Sequence, residues 1–147
     1  MKKIFFLCFG FVILVLSSYQ PTLAQEEPKA QQAQDQRPML AAQGWLRLVD
    51  QGEYRQSWQE AGSYFKSMIT QQQWIDQIKG VSKVLGKVKN RTLRDKQKAT
   101  TLPGAPDGEY ESISYTTNME NKIAAVETVT VVKDKDNQWR MVGYFIR

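Results

Sequence analysis

Residues 122–133 read KIAAVETVTVVK. Alternation sets Ile123, Ala125, Glu127, Val129 and Val131 on one face of a strand, with Ala124, Val126, Thr128, Thr130 and Val132 on the other. The first face is the more apolar, and a glutamate stands at its centre. A carboxylate in that position is costly unless it is paired or opens into a cavity. Two readings follow. Glu127 is either a pocket carboxylate with a raised pKa, acting as base or ligand anchor, or the partner of an arginine on a neighbouring strand, Arg91 or Arg140. The ion pair is favoured, because structural pairs are common among perturbed groups.

On either side of this stretch the strand character continues. Residues 109–119 and 138–146 are rich in Tyr, Ile, Val, Thr and aromatics, and 87–101 has strand length with little apolar content. Asn121 suits a tight turn before 122–133, and KDKDNQ (133–138) turns into the last strand. The peptide LPGAPDGEY (102–110) contains two turns, Pro103-Gly104 and Pro106-Asp107-Gly108. Turn chemistry explains each position, so it reads as a corner and not as a binding loop.

Before Gly86 the period is helical. Ala41, Ala42, Trp45, Leu48 and Val49 share one face after Pro38, which suits a first helical turn, and Gly52 suits the stop. A second helix carries Tyr54, Trp58, Ala61, Phe65 and Met68. A third starts at Thr70, whose spacing to Gln73 fits a capping box, buries Trp74, Ile78 and Val81, and ends at Gly86. Three helices followed by four strands in meander order predict an α+β domain over 38–147, with the helices on one face of an antiparallel sheet. Trp45, Trp58 and Trp74, one per helix, read as core.

The N-terminus carries an address. Lys2 and Lys3 precede an unbroken apolar run from Ile4 to Leu16, too short to span a membrane comfortably, and small residues lead to Ala24. Residues 1–24 are expected to be a signal peptide cut after Ala24, and the protein to be exported to the periplasm or beyond, with no transmembrane segment in the mature chain. Residues 25–37, rich in Gln and charge, are expected to be a disordered linker.

The single cysteine, Cys8, leaves with the signal, and there is no histidine. Ser-His-Asp and Cys-His arrangements are therefore excluded, as are zinc sites built from His or Cys. No metal site, cofactor or catalytic residue is assigned. Ser63-Tyr64-Phe65-Lys66 matches S-x-x-K without its companion motifs, and Asp134–Asn137 starts like a calcium loop without its glycine or closing glutamate. Segment 79–98 is strongly basic, with Lys87, Lys89, Lys96 and Lys98 as candidate contacts for an anionic surface. Their parities place all of its strand cations on one face only if a bulge occurs near Thr92. No aromatic is interleaved for base stacking, which disfavours nucleic acid, and an edge strand guarded by lysines is the better reading. Tyr110 and Tyr115 join Glu127, Arg91 and Arg140 as pocket candidates, because a buried tyrosine hydroxyl wants a partner.

Ser57-Trp58, Leu85-Gly86, Arg91, Leu102–Tyr110, Glu127–Thr130 and Gly143–Arg147, in this order, resemble the bacterial exported family known as domain of unknown function 4019. The resemblance covers about residues 38–147. It implies a likeness to the nuclear-transport-factor-2-like and cystatin-like cone, in which helices and a curved four-stranded sheet enclose a pocket, and it brings no activity or catalytic residue. The chain departs from the family pattern at Ser82-Lys83-Val84, where an Arg and a Pro are more usual, at Met119, where an aromatic is usual, and at Asp136–Trp139, which replaces an Asp-Gly turn. The expected function is non-enzymatic binding of a small ligand or an envelope protein between helices and sheet. The alternatives are a carboxylate-based isomerase or hydratase in the same pocket, and a basic module on anionic envelope surfaces.

Overall fold

A computed structural model describes residues 27–147, and the expected signal peptide lies outside these residues. Helices α1 (Glu27–Asp50), α2 (Tyr54–Gln59), α3 (Ser63–Met68) and α4 (Gln71–Leu85) precede strands β1 (Val88–Ala99), β2 (Tyr110–Met119), β3 (Ala125–Lys133) and β4 (Trp139–Ile146). The strands pair antiparallel in the order β1-β2-β3-β4. The α+β class and the meander are as the sequence predicts.

The helices differ from expectation in two places. Residues 27–37, expected as disordered linker, form the first turns of α1, so Pro38 lies inside a helix and not at its start. Pro38 itself is buried, which holds this part of α1 against the body of the domain. The expected second helix is two, broken at Gly62. There the backbone N–H of Gly62 donates to the Met141 carbonyl of β4 at 2.7 Å, and a Cβ on Gly62 would lie 2.7 Å from Val142 Cγ1. Contact with the sheet edge thus outweighs helix continuity. Asp134 secures the restart, accepting from the N–H of Ser63 at 2.9 Å and from its hydroxyl at 3.0 Å. That backbone bond, with smaller contributions from the hydroxyl and Arg140, holds the Asp134 pKa below the usual carboxylate value.

The helix ends follow the sequence. Gly52 (φ 77°) ends α1 with Glu53 N–H bonded to Leu48 O at 2.8 Å and Gly52 N–H to Val49 O at 3.0 Å, a Schellman pattern. Thr70 and Gln73 form the capping box of α4, and Gly86 closes it. Ala42, Trp45, Leu46 and Val49 of α1 and Trp74, Ile75 and Ile78 of α4 are buried, whereas Val81, expected inside, is exposed. The three indoles are core, each with its N–H bonded: Trp45 to Ser57 O, Trp74 to Ser57 Oγ and Trp58 to Ile69 O, at 2.8, 2.9 and 3.0 Å.

Each central strand alternates. Glu111, Ile113, Tyr115, Thr117 and Met119 of β2, and Ala125, Glu127, Val129 and Val131 of β3, are buried on the helix side. The opposite face is a half-exposed ladder of hydroxyls, with Ser112–Thr130 and Ser114–Thr128 each paired at 3.0 Å. α1 packs across β2, β3 and β4.

Strand β3 begins at Ala125, three residues after the predicted start, because Ala124 is left-handed (φ 54°). Asn121 does not form the tight turn alone: its side chain caps the Val84 carbonyl of α4 at 3.0 Å. The corner 102–110 turns as expected at Gly104 (φ 77°), closed by Ala105 N–H to Leu102 O at 3.1 Å. Gly108 has no positive φ; its role is close approach, since a Cβ there would lie 3.3 Å from the Tyr110 ring.

Candidate functional site

Glu127 is fully buried at the helix side of β3. Directly opposed residues share a face, so the register Arg91↔Thr117 on β1–β2 and Tyr115↔Glu127 on β2–β3 carries Arg91 to the same side. Its guanidinium reaches past Thr117 to grip Glu127, Nε donating to Oε2 and Nη2 to Oε1. Thr117 Oγ1 donates to Oε2 at 2.8 Å and the Tyr144 hydroxyl to Oε1 at 2.7 Å. These four hydrogen bonds fill the carboxylate.

Arg91 has a second task. Nη1 and Nη2 donate to Asp50 at 2.5 and 2.8 Å. Asp50 is the last residue of α1, where a carboxylate meets the negative end of the helix dipole, and the guanidinium offsets that repulsion. Burial works against the charge of Arg91, but the bonds and charges of Asp50 and Glu127 outweigh it and hold its pKa above the usual arginine value. Burial, then the Glu127 charge, raises the Tyr144 hydroxyl well above the usual tyrosine value.

Of the two readings of Glu127, the paired one is realised, and the partner is Arg91. Arg140 cannot serve. It stands opposite Val132, on the other face of the sheet, and its Nη1 and Nη2 donate to Asp136 at 2.5 and 2.6 Å. Those bonds lower the Asp136 pKa to about 2. Tyr115 lies on the correct face opposite Glu127, yet its buried hydroxyl has no partner, and burial raises its pKa.

Beside the network is a cleft of about 390 Å³, between the end of α1, α4 and the sheet. Val49, Ile78, Val81 and Leu85 line it, with Asp50 and Tyr144 as polar groups on the wall. Glu127 stands behind that wall. With every acceptor position of its carboxylate occupied by a donor, Glu127 is built to hold the network still.

The span from Ala41 to Tyr144 holds the whole of this network, and a family model for "Protein of unknown function (DUF4019)" matches residues 41–144. The chain belongs to that family. No curated protein and no solved structure matches it.

In this DUF4019 domain Tyr110 serves the corner and not the cleft, its hydroxyl donating to Pro106 O at 2.5 Å. Tyr64 pins the same loop, donating to Gly104 O at 2.5 Å. The S-x-x-K pair does not meet: Ser63 bonds Asp134, and Lys66 Nζ donates to Gln59 O at 3.0 Å. β1 is an edge strand, with Lys89 and Lys96 exposed on it and Lys87 exposed just before it. A bulge, the condition set for gathering the cations on one face, does occur, at Arg94, between Leu93↔Tyr115 and Asp95↔Ser114. It returns Lys96 and Lys98 to the face of Arg91, but Arg91 is taken by two carboxylates, and Lys98 Nζ pairs with Asp35 at 3.1 Å. Among the described residues no cluster of three or more His, Cys, Asp or Glu is arranged to hold a metal ion, and no helix is long and apolar enough to cross a membrane.

One group escaped the sequence reading. Glu111 is 1% exposed on the helix side of β2, and neither carboxylate oxygen has a partner. The signal that singled out Glu127 is present here too, because Glu111 shares parity with Ile113, Tyr115 and Thr117.

Proposed function

We infer that this DUF4019 protein is an exported binding module that holds a small ligand or a segment of an envelope protein in the cleft beside Asp50 and Tyr144, without catalysis. The observation that carries this reading is the saturation of Glu127 by Arg91, Thr117 and Tyr144. It removes the base that a carboxylate-based isomerase or hydratase at this position needs, and it fixes Asp50 and Tyr144 as rigid polar groups in a cleft whose wall also carries Ser82, Lys87 and Glu120. Small-molecule sites combine an apolar surface with placed polar groups, and here Val49, Ile78, Val81 and Leu85 supply the apolar part. Export rests on Lys2, Lys3, the apolar run to Leu16 and the small residues up to Ala24. The helices-on-sheet order is compatible with the cone of the nuclear-transport-factor-2-like proteins, a fold-level analogy that carries no chemistry.

Native mass spectrometry of protein purified from its own host tests the reading. A retained mass or partner is expected on the wild type and is lost in Ser82→Trp, which fills the cleft from α4. Protein that is bare in every preparation overturns the reading. N-terminal sequencing of the same material is expected to begin at Gln25, and an intact Met1 overturns export.

A further inference from the structure

A second cavity, of about 510 Å³, lies at the other end of the sheet, between the early turns of α1 and the β1–β2 edge. Glu111 forms part of its lining, with both oxygens buried and unpaired. Buried carboxylates in folded proteins are paired, because an ionised group without partners carries its full desolvation cost. The obvious internal partner is turned elsewhere. Lys98 stands directly opposite Glu111 in the β1–β2 register, yet its ammonium pairs with Asp35 of α1. Lys133, also in the lining, pairs with Glu109 at 2.8 Å. Arg37 is exposed at the rim, where water screens it. Once these pairs are made, the buried polar group of the lining left without a partner is the Glu111 carboxylate.

We propose that this cavity is a binding site for a compact organic cation bearing a guanidinium or primary ammonium group, with Glu111 as its anchor. An ionised carboxylate offers acceptors only, so the occupant must donate, and a charged N–H donor makes the stronger bond. A divalent metal ion does not fit, since it demands several oxygen ligands and Glu111 has no second carboxylate beside it in a ligating cluster. The volume is in the range of small-molecule sites, and Trp139 in the lining offers an aromatic surface to a cation. This site is separate from the cleft beside Asp50 and stands or falls independently of it.

Titration of the purified protein with methylguanidinium, followed by tryptophan fluorescence and calorimetry, tests the site. Saturable one-to-one binding is expected, weakened at least about tenfold in Glu111→Gln, the loss that follows from removing one charged hydrogen bond. Tetramethylammonium, which has the charge but no N–H, is expected to bind at least about tenfold more weakly than methylguanidinium. Lys98→Met removes the cation directly opposite Glu111 and is expected to tighten binding, while Ser82→Trp in the other cleft leaves it unchanged. Circular dichroism confirms that each variant is folded. Each of these results overturns the proposal: no saturation in wild type and Lys98→Met alike, equal binding by Glu111→Gln, or equal binding of tetramethylammonium. A Lys98→Met variant that melts lower and binds no better shows that Lys98 is the real partner of Glu111, and also overturns it.

Discussion

Glu127 and Glu111 are two glutamates on the same face of neighbouring strands, equally buried, with opposite surroundings. Glu127 accepts from an arginine, a threonine and a tyrosine, and through Arg91 ties four strands to the end of α1. Glu111 accepts from nothing. Burial alone therefore does not say what a carboxylate is for; the donors around it do. A satisfied one is framework, and breaking it destabilises the protein. An unsatisfied one is a liability to the fold that a ligand relieves. The two ends also differ in extent: the network lies within the residues matched by the family, whereas part of the Glu111 cavity is walled by Gln31–Pro38, which precede them.

The largest effect expected from this contrast is at Arg91. Arg91→Met leaves Glu127 buried without its cation and Asp50 facing the helix dipole alone, and is expected to cost about 3–5 kcal/mol in urea unfolding. A loss below about 1 kcal/mol would mean that the network is decorative, and the contrast collapses. The opposite sign is expected at Glu111. Glu111→Met removes an unpaired buried charge at similar volume, and should stabilise by about 1–3 kcal/mol in the same assay without added cation. Destabilisation of that size would show that Glu111 has a protein partner after all.

A finer test uses pH. Tyr144 has a raised folded pKa, so its contribution is complete below the ordinary tyrosine value, near 10, and falls away as pH rises above it. While only the unfolded chain ionises, stability drops by about 1.4 kcal/mol per pH unit for this group. Tyr144→Phe is expected to lose about 1 kcal/mol at neutral pH and to flatten the alkaline limb by this amount. An unchanged limb would detach Tyr144 from Glu127. The smallest effect is at the α2–α3 break. Asp134→Ala removes the partner of Ser63, with an expected cost of about 1 kcal/mol at pH 7. Because the Asp134 pKa is lowered, this contribution is present above about pH 4 and disappears as pH falls through the depressed value. A mutant deficit that persists at pH 2 would assign the loss to packing and not to the charge.

Much of this was legible in the chain. Strand-forming composition and alternation located β2, β3 and β4, length alone suggested β1, helical spacing gave the buried faces of α1 and, except for Val81, of α4, and Thr70, Gly52, Gly86 and Gly104 acted as their side-chain and backbone chemistry dictates. These are local properties, set by each residue and its near neighbours. The parity argument also isolated Glu127 and reduced its partner to Arg91 or Arg140. What the sequence left open was long-range. The strand register sends Arg91 to the helix side and Arg140 to the other, and a bulge at Arg94, invisible in composition, resets the parity of Lys96 and Lys98. The break at Gly62 depends on the Met141 carbonyl arriving from the far end of the chain. Residues 27–37 have no apolar period of their own, and α1 continues through them while Pro38 is buried and Asp35 meets Lys98. Whether a buried carboxylate finds donors depends on four strands and a helix at once, so only the tertiary structure could tell Glu127 from Glu111.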